Sequence, residues 1–368
     1  MTRFDVAVIG GGPAGAATAL RLARAGAGVA LYEPSRYPRM RLGETLAPAV
    51  APMLRELGVW DAFRALGSLP SYETASAWGT GTVTVRPSLL DPHGHGWHVD
   101  RARFDRLLAD AAAGTGVTVL NHPVTGVDRV PRGFRVHAAV SAHATSVVDA
   151  TGRAARLSSC LGARRDRFDR LVCVARVVAL EPDADAGDTL VESAEHGWWY
   201  ASPVPGRRRV IACFTEPSVA VRAGLVSRPG WAAALAATTH VRRLAPAVPA
   251  GEPAVVAVGG HLLRPCAGPG WLAVGDAALA VDPLSGGGVP FALRSAALAA
   301  EVLLGGDAGE YRRFVEDSAA AYRETHDRIY RAETRFSRAS FWRARQRPLR
   351  RVSGRRAPVP MSDQFGHQ

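Results

Sequence analysis

Three glycines near the amino terminus, Gly10, Gly12 and Gly15, have the spacing that lets a backbone hold a pyrophosphate. The run around them, residues 4–33, reads FDVAVIGGGPAGAATALRLARAGAGVALYE. Gly10 allows a tight turn, Gly12 offers bare backbone to a phosphate, and Gly15 permits close packing of helix on strand. Pro13 suits a first helical turn, where an N–H would have no intrahelical partner, and Ala14 continues the helix. The unpaired N–H groups of that turn and the helix dipole attract phosphate. Glu33 ends the next apolar run, where a carboxylate can accept hydrogen bonds from ribose hydroxyls. Together these residues can bind a dinucleotide.

A second group stands far downstream. Residues 271–301 read WLAVGDAALAVDPLSGGGVPFALRSAALAAE. An apolar strand ends at Gly275 and Asp276, and Asp276 can hold a ribityl hydroxyl. Gly286, Gly287 and Gly288 precede a helix whose bare N–H groups and dipole suit the pyrimidine edge of a reduced flavin. Between the two groups, VVDATGR at 147–153 is an apolar strand entering a turn that carries Asp149 and Gly152. The three pieces point to FAD.

Positioning them calls for an α/β fold in which a Rossmann-type FAD-binding domain is interleaved with an antiparallel-sheet substrate domain, followed by C-terminal helices. Segments 1–70, 100–155 and 265–305 form the discontinuous FAD-binding domain. Segments 71–99 and 156–264 form the substrate domain, and 306–368 supply a C-terminal helix and an Arg-rich tail. Helices are expected at 14–25, 49–66, 100–113 with Asp100 as N-cap, 228–248, 289–304 and 308–336. Strands LVCVARVVAL, DTLVES, GWWYASPVP and RRRVIACFTE, between 171 and 216, form the antiparallel sheet. Residues 124–148 read as a β-meander.

The 368 residues, 47% hydrophobic and 21% charged, suit an ordinary globular protein. The net charge is +12, and the chain contains no lysine, so all 45 basic residues counted are arginine. Their density in the tail suits an acidic protein partner. No nucleic-acid module is recognisable, and no apolar stretch approaches the roughly 20 residues that span a bilayer. Cys160, Cys173, Cys213 and Cys266 are scattered without metal spacing, so no metal site is expected and a reducing cytoplasm is.

The motifs GGGPAG, DATGR and GDAALAVDPLSGGGV resemble the FAD-dependent monooxygenase superfamily with the aromatic-hydroxylase fold, over nearly the whole chain. RLGETLAP at 41–48 and VDRARFDRLL at 99–108 are similar to the flavin-dependent halogenase and geranylgeranyl-reductase branch. The resemblance implies that Arg41 lies near the flavin and Arg101 near the adenosine diphosphate. It also implies that Asp276 meets the ribityl chain and that Pro283 with Gly286, Gly287 and Gly288 lines the isoalloxazine. Halogenases of the tryptophan type use an active-site lysine, which this chain lacks, and GWWYASPVP only echoes their WxWxIP motif. GWWYASPVPGRRRVIACF with FWRAR at 341–345 resembles the LodB/GoxB-like flavoproteins, which assist formation of tryptophan-derived quinones in partner enzymes. The branch's usual DPLSSQG loop is DPLSGGG here.

These resemblances imply a monooxygenase that hydroxylates an electron-rich aromatic substrate, either a small molecule or a tryptophan side chain of a partner protein. A dehydrogenase or reductase on the same fold is the alternative, then a halogenase or a partner-binding flavoprotein. With no second dinucleotide unit in the chain, electrons come from docked NAD(P)H or a separate flavin reductase. Trp199, Tyr200, His98 and His196 are the candidates for the substrate side. Strand alternation puts Trp198 and Tyr200 on one face and Trp199 on the other.

Overall fold

The computed structural model describes residues 2–37, 41–88, 91–157, 159–181, 187–245 and 251–349. Most of the expected Arg-rich tail, from 350 onward, lies outside the described residues.

Apolar runs too short for helices make the central strands. Thr2–Ile9 is exposed at its start and buried from Val6 to Ile9. It pairs in parallel with Val29–Tyr32 on one side and with Ala142–Asp149 on the other. Trp271–Ala273 and Thr118–Leu120 extend the parallel sheet outward. The hairpin of Gly126–Val130 and Gly133–His137 joins it beside Ala142–Asp149. Ile9, Tyr32, Asp149 and Ala273 therefore end side by side, at the edge where ligands of such sheets bind. Helix Pro13–Arg24 packs against helix Gly288–Leu303 over the same core.

The second sheet has seven strands, ordered 254–257, 172–179, 208–215, 197–204, 189–194, 73–77 and 84–87. Its pairs are antiparallel except for Thr189–Ala194 with Glu73–Ala77, which run parallel. A parallel pair needs a long crossover, and the chain between these two strands passes through the first sheet. Ile9, at the end of the first strand, and residues of the second sheet border the same cavity, described below.

Two expected helices are shorter than their periodicity suggests. The 49–66 segment divides into Val50–Glu56 and Trp60–Arg64. Gly58, at φ +59, turns the chain left-handed between them. The 228–248 segment forms Arg228–Ala236 and a 3-10 turn at Val241–Leu244. Asp100 caps Arg101–Ala113 by accepting from the Ala102 and Arg103 amides. Helices Ala308–Ala332 and Ser340–Arg345 close the described chain. No helix among the described residues is long and apolar enough to cross a membrane.

Candidate functional site

Two helices open on one cavity without a side-chain cap. Helix Pro13–Arg24 starts after Gly12, and helix Gly288–Leu303 starts after Gly287. Neither has an acidic residue in its first turn, so the positive ends of both dipoles stand unneutralised. The cavity they share measures about 1110 Å³. Ordinary small-molecule pockets hold roughly 300–1,000 Å³, so this one lies at the large end of that range.

The glycines test whether the residues fit FAD. A Cβ placed on Gly12, Gly152 or Gly288 would meet nothing within 4 Å, and all three border the cavity. Their backbones thus face open space of the kind a phosphate or a ring needs. Gly10 borders the cavity too, but it and Gly15 are also fixed by close packing. A Cβ on Gly10, at φ +110, would lie 2.2 Å from the Ala150 carbonyl oxygen, and one on Gly15 would lie 1.9 Å from that of Gly10. Gly275 also packs, with a Cβ meeting that of Ala14 at 2.7 Å, so it joins the two helices and does not line the cavity.

Glu33 borders the cavity and is buried. It accepts from the Gly11 amide at 2.7 Å and the Ser35 amide at 2.8 Å, which fix the carboxylate while leaving lone pairs for ribose hydroxyls. Arg41 and Arg101 both line the cavity and converge on the fully buried Asp105, at 3.2 and 3.1 Å. Arg101 also donates to the carbonyls of Leu42 and Gly43. Asp276 lines the cavity 3.2 Å from Arg153. Arg153 is held by the carbonyls of Val258 and Val281, at 2.7 and 2.8 Å. Pro283, Gly286 and Gly288 are on the wall, whereas Gly287 is not.

Asp149 needs a correction. Its oxygens accept from the amide and hydroxyl of Thr151 and from the Leu157 amide, so it ties the DATGR turn and does not face the cavity. Ala150, Thr151, Gly152 and Arg153 of the same motif do border the cavity.

Among the substrate-side candidates, Tyr200 lines the cavity with Trp198 and Phe214. Trp198 stacks on Phe214 with centroids 3.9 Å apart. Trp199 is on the opposite face, buried against Trp231 at 5.4 Å, because neighbouring strand residues point to opposite sides. His196 is in the exposed hairpin between Thr189–Ala194 and Gly197–Val204, away from the cavity. His98 is fully buried behind the wall, and its Nδ1 lies 3.2 Å from the Thr45 hydroxyl and 3.1 Å from that of Ser202.

Trp198, Phe214, Arg153 and Glu44 border the cavity and were not among the expected site residues. Trp198 could have been read from strand parity. Glu44 sits in the GETLAP motif, but only the fold makes it 1% exposed and turns it to the cavity. Beneath the DPLSGGG loop lies a buried charge cluster. Arg345 reaches Asp169, Glu216 and Asp282 at 3.1, 3.2 and 3.3 Å. Tyr330 donates to Asp282 at 2.7 Å and accepts from the Trp198 indole at 3.0 Å. Arg345 of the last described helix thus reaches the loop, and Tyr330 of the helix before it joins the loop to the aromatic wall.

A protein-family model described as an FAD binding domain matches residues 3–312. The chain is 30% identical over 360 residues to LodB of Marinomonas mediterranea, described as an FAD-dependent oxidoreductase, covering 94% of this chain and 97% of that one. Among solved structures it resembles the myxobacterial chondrochloren halogenase CndH, at 25% identity and TM-score 0.84, covering 94% of this chain and 86% of that one. It also resembles QhpG, a peptidyl tryptophan dihydroxylase essential for tryptophylquinone cofactor biogenesis, at 29% identity and TM-score 0.75, covering 94% and 79%.

Proposed function

The chain belongs to the FAD binding domain family and is an FAD-dependent oxidoreductase, and we propose that it is a monooxygenase hydroxylating an electron-rich aromatic group. When bound, FAD supplies the two-electron chemistry and, once reduced, the activation of dioxygen. Reduction comes from transiently docked NAD(P)H or from a separate flavin reductase.

The protein's part is binding, orientation and exclusion of water. The uncapped helix start at Gly12 and Pro13 holds the pyrophosphate, and Glu33 the ribose. Asp276, steadied by Arg153, takes a ribityl hydroxyl. The Pro283–Ser285 turn and Gly286, with the helix start at Gly288, support the isoalloxazine. The observation that carries the reading is the aromatic wall opposite that loop. Trp198 and Phe214 stack face to face with Tyr200 edge-on at 88°, and the three make an aromatic wall fit for an aromatic ring.

Two facts favour hydroxylation of a tryptophan side chain on a partner protein over halogenation. The chain has no lysine to handle a hypohalous acid. Its relatives include an oxidoreductase similar end to end and a peptidyl tryptophan dihydroxylase at 29% identity. A small aromatic molecule would meet the same wall.

The test supplies FAD, a flavin reductase, and either a tryptophan-bearing peptide or a small indole or phenol, under isotopically labelled dioxygen. Label in the product is expected. Product formed in unchanged yield without oxygen would assign a dehydrogenase or reductase instead. A halogenated product in the presence of chloride or bromide would assign a halogenase.

A further inference from the structure

Indole and phenol rings, which lose an electron more readily than the rings of Phe, lead from the cavity to the surface. Trp198 borders the cavity, and its indole Nε1 donates to the Tyr330 hydroxyl at 3.0 Å. The centroid of the Tyr330 ring lies 5.9 Å from that of Trp342 and 5.8 Å from that of Trp78. Trp342 and Trp78 are 5.3 Å apart. Trp198, Tyr330 and Trp342 are buried, and Trp78 is partly exposed. Strand Gly197–Val204, helix Ala308–Ala332, helix Ser340–Arg345 and the turn after strand Glu73–Ala77 each supply one ring.

The Tyr330 hydroxyl has a proton acceptor already in place. It donates to Asp282 Oδ2 at 2.7 Å, and buried Asp282 is held by Arg345 at 3.3 Å. Burial first, then the Asp282 charge, push the Tyr330 pKa up, so the resting phenol keeps its proton. Loss of an electron reverses that preference, because an oxidised phenol is far more acidic than a carboxylic acid. An uncompensated positive charge in the interior is also costly. Electron and proton therefore leave Tyr330 together, the proton moving along one hydrogen bond to Asp282. Packing needs only a ring at position 330, and the hydroxyl between an indole N–H and a carboxylate adds this proton site.

We propose that Trp198, Tyr330, Trp342 and Trp78 form a path that carries an oxidising equivalent from the cavity to the surface. The oxidant is a flavin- or oxygen-derived one-electron acceptor in the cavity, of which light-excited FAD is the instance that can be made at will. Trp198 gives it one electron and becomes a radical cation. Tyr330 passes an electron to Trp198 and its phenolic proton to Asp282, which restores Trp198 and leaves a neutral tyrosyl radical. Trp78, directly or through Trp342, returns an electron to Tyr330 while Asp282 returns the proton. A thiolate in solution then reduces Trp78 and becomes a thiyl radical. The sum is one electron from thiolate to cavity oxidant, with Asp282 unchanged. Such a path clears the cavity of an oxidant that has met no substrate. It depends on FAD in the cavity, and not on which substrate the enzyme oxidises.

The experiment illuminates the FAD-loaded protein with blue light in the absence of oxygen. Radicals are identified by electron paramagnetic resonance after freezing and timed by transient absorption in solution. Wild type is expected to give a tyrosyl radical, formed more slowly in deuterated water because a proton moves with the electron. Tyr330→Phe, with bound flavin verified by absorbance, is expected to lose that signal and to leave a tryptophan radical that recombines faster. Trp78→Phe is expected to keep the tyrosyl radical and to lengthen its lifetime severalfold in the presence of glutathione. This second variant, at the partly exposed end, decides the matter if Tyr330→Phe fails to hold FAD. An equal tyrosyl signal in Tyr330→Phe, no tyrosyl radical in wild type, or glutathione quenching unchanged by Trp78→Phe would overturn the proposal. None of these readouts involves substrate turnover, so a failure of the hydroxylation reading is seen separately.

Discussion

Gly10 and Gly12 are two residues apart and are constrained by different neighbours. An alanine at Gly10 would face the Ala150 carbonyl at a positive φ. Gly10→Ala is expected to destabilise the protein by about 1–3 kcal/mol or more, visible as a lower melting temperature even without cofactor. Gly12→Ala meets nothing in the protein. It is expected to leave the melting temperature of the cofactor-free protein unchanged and to weaken FAD binding about tenfold, ~1.4 kcal/mol. Titration of FAD into both variants separates the effects. His261 offers a pH test beside Asp276 and Arg153. Burial first, then the Arg165 and Arg153 charges, lower its pKa from 6.5 to about 4. The fold thus favours neutral imidazole, so this stabilisation is present above pH 6.5 and is lost as pH falls toward 4. Melting curves of His261→Gln are expected to decline less steeply over that window than those of wild type.

Strand Gly197–Val204 divides its aromatic residues between two layers by alternation alone. Trp199 fills the layer shared with Trp231, behind the sheet. Trp199→Ala is expected to cost roughly 3–5 kcal/mol of stability and, at temperatures where it is folded, to leave aromatic-ligand affinity intact. Trp198→Ala removes part of the cavity wall and is expected to lower that affinity, as ligand titrations would detect. The glycine turns, the strand pattern and the acid at Glu33 were legible because backbone geometry demands those residue types locally. The parity of the GWWY segment was legible too, but not which face would meet the cavity, since that depends on which sheet edge each neighbour takes. His196 and Asp149 misled for a related reason. Asp149 satisfies the backbone of its own turn and His196 stands at an exposed hairpin corner, and no local pattern distinguishes either place from a ligand site. Glu44 acquires its character from burial in a cavity wall shared with Tyr200, which is distant in sequence, so its surroundings were invisible in the motif that holds it.

At the scale of the molecule, Arg345 ties the last described helix to the loop at the cavity. Removing one partner from a buried charge cluster leaves the others uncompensated, a loss of about 3–5 kcal/mol. Arg345→Met, with 2% of its side chain exposed in the parent, is expected to lose stability on that order. It is also expected to weaken FAD binding, because Asp282 anchors the loop by accepting from the Leu284 amide at 2.9 Å. Denaturation and FAD titration of the variant check both.

The order of the first sheet also bears on how the chain is made. Thr2–Ile9 leaves the ribosome well before one of its neighbours, Ala142–Asp149, which pairs in turn with Trp271–Ala273. The arginine under the loop arrives later still. During synthesis the earliest strands therefore wait with an open edge while most of the polypeptide is still being translated, and pairings this distant in sequence form slowly. The cavity is therefore complete only once the segment that ends at Ala292 has followed the first strands out of the ribosome.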